Sequence, residues 1–492
     1  MNRLVRALVA GVSVVAMTLP AFAQSALPQA QDSYFLAGKS QLAELMARQP
    51  NTRKAKNIIL FVVDGLSIPT VTAARIIEGQ NAGRDGASNV LAFERLLPYV
   101  ALSKTYTHDS IVADSAPTAT ALVSGVKSLN GTIGVNQNVT ANDPATQAGN
   151  EVSTIFEQAE AAGLSTGIIS TARITHATPA ATYAKVAGRD WENNSSLPAE
   201  AVELGIKDIA AQLVDWSAGD GFEVVFGGGR TQFLPDTVAD PEYPTRNGLR
   251  TDGRNLVADW QAAHNDGAYV WNREQFDAID PTTTGKVFGL FEPSHMQYEA
   301  DREKDAAGEP SLAEMTLKAI EILSQNENGF VLQVEGGRVD HAHHAGNAAR
   351  ALTDTLAASA AIEAAYLAVD PSETLIVLTA DHSHVFSIAG YPGRDTNILG
   401  LAGDLADDGK PYTILGYQNG PGAKVDEPRA DLTSVDTTDV DFLQQALIPL
   451  SSETHAGDDV AIFAQGPWAH LFHGVVEQNV VYHVMAKAIG LN

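Results

Sequence analysis

Short apolar runs alternate along this chain with longer stretches in which apolar positions recur every three or four residues. Ile58 to Val63, Ser165 to Ser170, Phe222 to Phe226, Phe330 to Val334 and Leu375 to Thr379 are each bounded by Gly, Asn or Asp, the pattern of buried strands in an α/β sheet. Val152 to Ala162 and Leu312 to Leu323 carry the helical period, with Gly163 and Asn326 as stops. Residues 32 to 50 predict an amphipathic helix with Leu42, Leu45 and Met46 on one face. Residues 395 to 450 show weaker apolar periodicity.

Chemistry enters at the strand ends. Asp64 follows the first run, Glu335 the fourth, and Asp381 with His382 the fifth. Functional groups gather at the carboxyl ends of strands in such sheets; a single Asp there is also ordinary turn chemistry, but three strands ending this way point to a shared site. In VEGGRVDHAHH, Asp340 and His344 stand four residues apart, which a helix places on one face, and imidazole with carboxylate suits zinc. In TADHSH, residues 379 to 384, adjacent Asp381 and His382 can ligate a cation with His384 behind them. Spacing assigns no role to His341 or His343. Asp64, Glu335, Asp340 and Asp381 in one pocket would repel and largely stay protonated unless cations were present. Ser115, in ADSAPTATALVSGVK, reads either as a helix cap or, because a helix N-terminus stabilises anions, as a nucleophile that accepts a phosphoryl group.

Composition narrows the partners. The formal charge of −27 disfavours nucleic acid and anionic lipid, so an anionic substrate must meet positive charge locally. The absence of cysteine excludes thiolate nucleophiles and zinc–thiolate sites. Arg3 and Arg6, the apolar stretch Ala7 to Leu19 and the small-x-small Ala21, Phe22, Ala23 predict a secretory signal peptide over residues 1 to 23 and a periplasmic or released product. Its removal takes two arginines and no acid, moving the charge to −29, and no other segment is long and apolar enough to span a bilayer.

From about Tyr34 onward the chain resembles the alkaline phosphatase family, nearer its animal-type branch. The likeness rests on TVTAARIIEGQ, DSAPTATA, GTIG at 131 to 134, STARITHATPAATYAKVAGRDW at 170 to 191, DPEYP at 240 to 244, GLFEP at 289 to 293, VEGGRVDHAHH, TADHSH and ETHAGDDVAIFAQGPWAHL at 453 to 471. It implies a large, mostly parallel central sheet flanked by helices: an arm over residues 24 to 50, a catalytic domain over 51 to 492 and a crown-like insertion at about 395 to 450. It also implies hydrolysis of phosphate monoesters through a phosphoserine at Ser115, and a homodimer built across arm and crown. By the same resemblance, Asp64, Asp381 and His382 hold one zinc, and Asp340, His344 and His455 the other. Asp64, Thr178 and Glu335 hold magnesium. Arg189 clamps phosphate, Asp114 orients Arg189, and His176 and His341 reach magnesium or phosphate through water. Calcium is expected at Glu242, the Phe291 carbonyl, Glu292 and Glu309. One departure is VVDGLS, where Val63 and Ser67 replace glycines usual around the first Asp.

Two rivals remain open at this point. A superfamily relative acting on phosphodiesters or sulfate esters would show a different rank order of esters, and a non-enzymatic exported protein would sequester zinc or phosphate without cleaving either.

Overall fold

The computed structural model describes residues 27–425 and 427–491; the expected signal peptide lies outside the described residues. The chain divides between residues 49 and 50 into two compact units. In the first, the helix Ser33–Ala47 is started by Asp32, whose carboxylate accepts the Tyr34 and Phe35 amides, and Leu42, Leu45 and Met46 are all exposed.

The second unit is built on strands β1 Asn57–Val62, β2 Tyr99–Lys104, β3 Ser165–Arg173, β4 Val224–Gly228, β5 Ala268–Val270, β6 Val287–Leu290, β7 Phe330–Glu335 and β8 Thr374–Thr379. There follow β9 Ser383–His384, β10 Phe386–Ile388, β11 Leu401–Leu405, β12 Pro411–Thr413, β13 Leu415–Gly420, β14 Ala446–Pro449, β15 His455–Ala456, β16 Val460–Gln465 and β17 Val475–Glu477. Ten form one sheet in the order β17-β2-β16-β8-β1-β7-β3-β4-β6-β5, with β16 running against its neighbours β2 and β8 and the other pairings parallel. The expected α/β class and mostly parallel sheet are observed. β10, β13 and β14 make a small sheet, and β11 with β12 and β9 with β15 make two-stranded ribbons, so the segment of weak periodicity folds largely as short strands and turns.

Alternation along β1 explains why the sheet is covered on both faces. Ile58, Leu60 and Val62 point into one apolar layer, beneath the helices Ser115–Ser124, Ile155–Ala161 and Val480–Ile489. Ile59 and Phe61 point into the other, beneath Ile68–Asn81, Leu312–Leu323 and Ala348–Ala368. The helix expected at Val152 begins instead at Ile155, because Thr154 and Glu157 form a capping box there. Leu312–Leu323 has the expected bounds and its own box, Ser311 with Glu314. The third run starts two residues late: Phe222 stacks on Trp216, ring centroids 4.1 Å apart, and pairing begins at Val224.

Register fixes where chemistry can occur. Val62 pairs with both Glu335 and Thr379, and Ser170 also pairs with Glu335. Asp64, Glu335, Asp381 and His382 therefore emerge together at the carboxyl edge of three adjacent central strands.

Candidate functional site

Ser115 is the first residue of the helix Ser115–Ser124, but it is not the cap. Asp114 is, accepting the Ala116 amide at 2.8 Å, which leaves the Ser115 hydroxyl available; its Oγ lies 3.0 Å from His382 Nε2. Pro117 falls in the first helical turn, where its missing N–H has no intrahelical partner to lose. Asp114 also accepts from the Gly131 amide and from Arg189, so one carboxylate starts the helix and anchors the guanidinium beside the serine. Arg189 Nη2 donates to His176 Nε2 at 3.2 Å.

Two compact cages flank this serine. His382 Nε2 is 3.3 Å from both Asp64 Oδ1 and Asp381 Oδ2. In the second cage, Asp340 Oδ1 is 3.3 Å from His344 Nε2 and from His455 Nε2, and those two nitrogens are 3.0 Å apart. A tetrahedral ion with bonds of about 2.0–2.1 Å has ligand–ligand edges of about 3.3–3.4 Å, so both cages have the dimensions zinc requires. The imidazoles are also in the ligating tautomer: His344 Nδ1 donates to the Glu453 carbonyl at 2.6 Å and His455 Nδ1 to the Ala113 carbonyl at 2.8 Å, which frees both Nε2 lone pairs.

A third group comprises Asp64, Thr178 and Glu335. Among the described residues, Asp64 Oδ2, Thr178 Oγ1 and Glu335 Oε1 are buried oxygens without a hydrogen-bond partner, an oxygen-only set suited to magnesium. Thr178 arrives on the turn Ala177–Ala180, and Glu335 is steadied by the Ser170 hydroxyl. His176 and His341 face each other with ring centroids 5.5 Å apart, and His341 Nδ1 accepts from Arg338 at 3.1 Å.

The electrostatics match this crowding. Burial first, then Asp381, Asp340 and Glu335, push Asp64 well above the carboxylate range. Burial also raises Glu335 to about 8 and lowers His341 to about 3. Asp340 goes the other way: burial would raise it, but His344, His384 and His455 hold it well below its ordinary value. His384 is buried too, yet hydrogen bonds to Asp340 and Glu453 raise it to about 9.

The departure at VVDGLS is accommodated locally. Val63 is buried in the core, and Ser67 caps the helix Ile68–Asn81 by accepting the Thr70 amide. The retained Gly65 has φ +70°, and a Cβ there would lie 2.4 Å from His384 Nε2.

Away from the serine, Glu242, Glu292 and Glu309 gather around a residue the sequence reading missed, Asp305. Both Asp305 oxygens, Glu242 Oε1 and Glu309 Oε2 are buried without hydrogen-bond partners among the described residues. Burial first, with neighbouring carboxylates, raises Glu242 to about 7 and Glu309 to about 9. The reading also missed His295, whose ring centroid lies 4.0 Å from that of His341, and Glu453 behind the second cage. No periodicity marks these three; they are brought in by loops.

An α/β sheet that presents a serine at a helix N-terminus, between carboxylate–imidazole cages and an anchored arginine, defines a phosphate-ester hydrolase type of protein. The alkaline phosphatase family model matches residues 55–491. An alkaline phosphatase of Gadus morhua is 48% identical over 451 residues, covering 90% of this chain and 94% of that protein. The tissue-nonspecific alkaline phosphatase isozyme of Gallus gallus is 46% identical over 446 residues, covering 89% and 85%. Among solved structures, the Thermus thermophilus alkaline phosphatase superposes with a TM-score of 0.65 at 27% identity, over 91% of this chain and 94% of that one. The alkaline phosphatase of the Antarctic bacterium TAB5 shares the fold, with a TM-score of 0.61 at 21% identity over 90% and 99%. The chain belongs to the alkaline phosphatase family and is an enzyme of that class, whose reaction is phosphomonoester hydrolysis.

These shifts set the pH dependence of the metal-free protein. Glu242, Glu309 and Glu335 have folded pKa values above their unfolded ones, so folding retains protons on them, and the same holds for His384. Their contribution is most favourable below the unfolded pKa and is lost as pH rises through about 7 to 9. Melting of chelator-treated protein should therefore fall in temperature from pH 6 to pH 9; a flat or rising Tm would contradict the assignment.

Proposed function

We propose that this chain is an exported, metal-dependent alkaline phosphatase that cleaves phosphate monoesters to an alcohol and inorganic phosphate through a phosphoserine at Ser115. The observation that carries this reading is the Ser115 Oγ to His382 Nε2 approach of 3.0 Å beside the Asp114–Arg189 pair. It brings a nucleophile, a cation cage and a phosphate clamp to one helix N-terminus.

Ser115 Oγ loses its proton to solvent and attacks phosphorus as the bond from phosphorus to the alcohol oxygen breaks, the departing alkoxide taking a proton from water. Water then attacks the phosphoserine, restoring the serine and releasing phosphate. Arg189 grips two phosphoryl oxygens, and Asp114 keeps the guanidinium aimed. The N–H groups of the first turn of Ser115–Ser124 add positive potential where charge develops. Zinc held by Asp64, Asp381 and His382, zinc held by Asp340, His344 and His455, and magnesium held by Asp64, Thr178 and Glu335 would supply Lewis acidity toward serine, leaving oxygen and water. His176 and His341, kept neutral by burial and neighbouring arginines, can orient water between that magnesium position and phosphate.

Calcium is proposed at Glu242, Glu292, the Phe291 carbonyl and Glu309, with Asp305 added; the unpartnered oxygens supply a hard-cation donor set. Export rests on the N-terminal pattern, and no helix among the described residues is long and apolar enough to cross a membrane. A homodimer is supported by the exposed Leu42, Leu45 and Met46 of the arm helix. The arm over 24 to 50 and the crown-like insertion at about 395 to 450 are its proposed contact elements, and phosphate scavenging from small esters is its role.

Ser115→Ala should cut turnover of a chromogenic phosphate monoester by at least ~10³-fold and abolish acid-trapped phosphoprotein. Retained phosphoprotein, or faster cleavage of a diester or sulfate ester by the wild type, would overturn the reading. Arg189→Ala should weaken inhibition by inorganic phosphate about 10- to 100-fold, the worth of charge-assisted hydrogen bonds, with a smaller loss in kcat. An unchanged phosphate inhibition constant would remove Arg189 from the clamp. Light scattering of the mature protein should give twice the chain mass; a monomer would refute the dimer.

A further inference from the structure

The cage formed by Asp340, His344 and His455 stands beside a third imidazole that could compete for its ion. His384 Nε2 lies 2.9 Å from Asp340 Oδ1, and His384 groups with Asp340, His382 and His455 closely enough to ligate. The other side of the ring is held as well. His384 Nδ1 is 2.6 Å from Glu453 Oε2, so each ring nitrogen faces a carboxylate oxygen. The ring is thus spanned between two carboxylates, and Glu453 fixes the orientation in which Nε2 meets Asp340.

We infer that Glu453 is a positioning residue for this cage, holding His384 against Asp340 and so fixing the orientation of that carboxylate. The inference rests on the zinc reading proposed above and deepens it.

Glu453 is 1% exposed, and its bonds account for its whole surface of polar atoms. Oε1 accepts the Val385 amide at 2.8 Å, fixing the carboxylate against the ribbon of β9 and β15 in which His384 pairs with His455. The Glu453 carbonyl accepts from His344 Nδ1, and its amide donates to the His344 carbonyl at 2.9 Å. One residue thus sets the tautomer of one ligand through its backbone and the orientation of another through its side chain. The close approach of His384 also depends on Gly65, where no side chain fits. Carboxylates behind metal-binding imidazoles commonly tune affinity; here the carboxylate acts one step further back, on an imidazole that contacts the ligand carboxylate.

The test uses full-length mature protein, stripped and reloaded with zinc, and reads zinc retention against a chromophoric chelator. Asp340→Asn should lose one zinc equivalent. Glu453→Gln should release that same equivalent about 10- to 100-fold more readily, the usual effect of disturbing groups behind a metal ligand, with the remaining metal held as in the wild type. His384→Asn should reproduce this loss, and adding Glu453→Gln to it should cause no further loss, because both changes act through one contact. A purely structural role predicts losses that multiply and affect every metal alike. Wild-type retention in Glu453→Gln, or multiplied losses in the double variant, overturns the inference while leaving the zinc reading intact. If Asp340→Asn keeps every equivalent, the zinc reading fails and takes the inference with it. Should Glu453→Gln not fold, Glu453→Asp keeps the carboxylate one methylene short; retention of the labile equivalent must then exceed that of His384→Asn, and equality overturns the role.

Discussion

Four buried carboxylates converge at one edge of the sheet, and their mutual repulsion is the constraint from which the rest of the site follows. Asp64, Glu335, Asp340 and Asp381 are between 0% and 3% exposed, and burial alone disfavours their charge. Parallel register makes the meeting unavoidable, since Val62 pairs with both Glu335 and Thr379. The chain relieves the repulsion with histidines around Asp340 and with Arg189 nearby. It leaves Asp64, Asp381 and Glu335 with unpartnered oxygens among the described residues. Such a cluster is poised for cations, and cages with edges of 3.0–3.3 Å are sized to hold them.

Around that electrostatic centre the scaffold acts by restricting motion. Asp114 caps the helix, accepts from the Gly131 amide and holds Arg189, so Ser115 and Arg189 share one support. The helix Ser115–Ser124 is buried along its length, which fixes its N-terminus toward the cages. Neutral His176 and His341 then line the side facing Arg189 without adding charge. The second acidic cluster, around Asp305, repeats the same crowding of buried, unpartnered carboxylate oxygens.

Much of this was readable from the chain because local patterns carried it. Five apolar runs became central strands, and Asp64, Glu335 and Asp381 lie at or just beyond the carboxyl ends of three of them. Asp340 and His344 share a face because the helix Arg338–His344 spans both. The serine was ambiguous between cap and nucleophile, since both roles favour the same position; only the structure shows Asp114 taking the cap.

What the sequence determined by itself was therefore the α/β class, the strand-end acids and the composition that excluded thiolate chemistry. Tertiary structure decided which of five histidines near the cages point lone pairs inward, because a tautomer depends on the partner of the far nitrogen, and those partners lie 69 to 342 residues away in Glu453 and Ala113. It also decided that Asp305 joins the acidic cluster and that β2, β5, β6, β16 and β17 complete the sheet. Of these, β5, β6 and β17 span only three or four residues and β2 is half-exposed, so their apolar signal is weak until neighbours cover them.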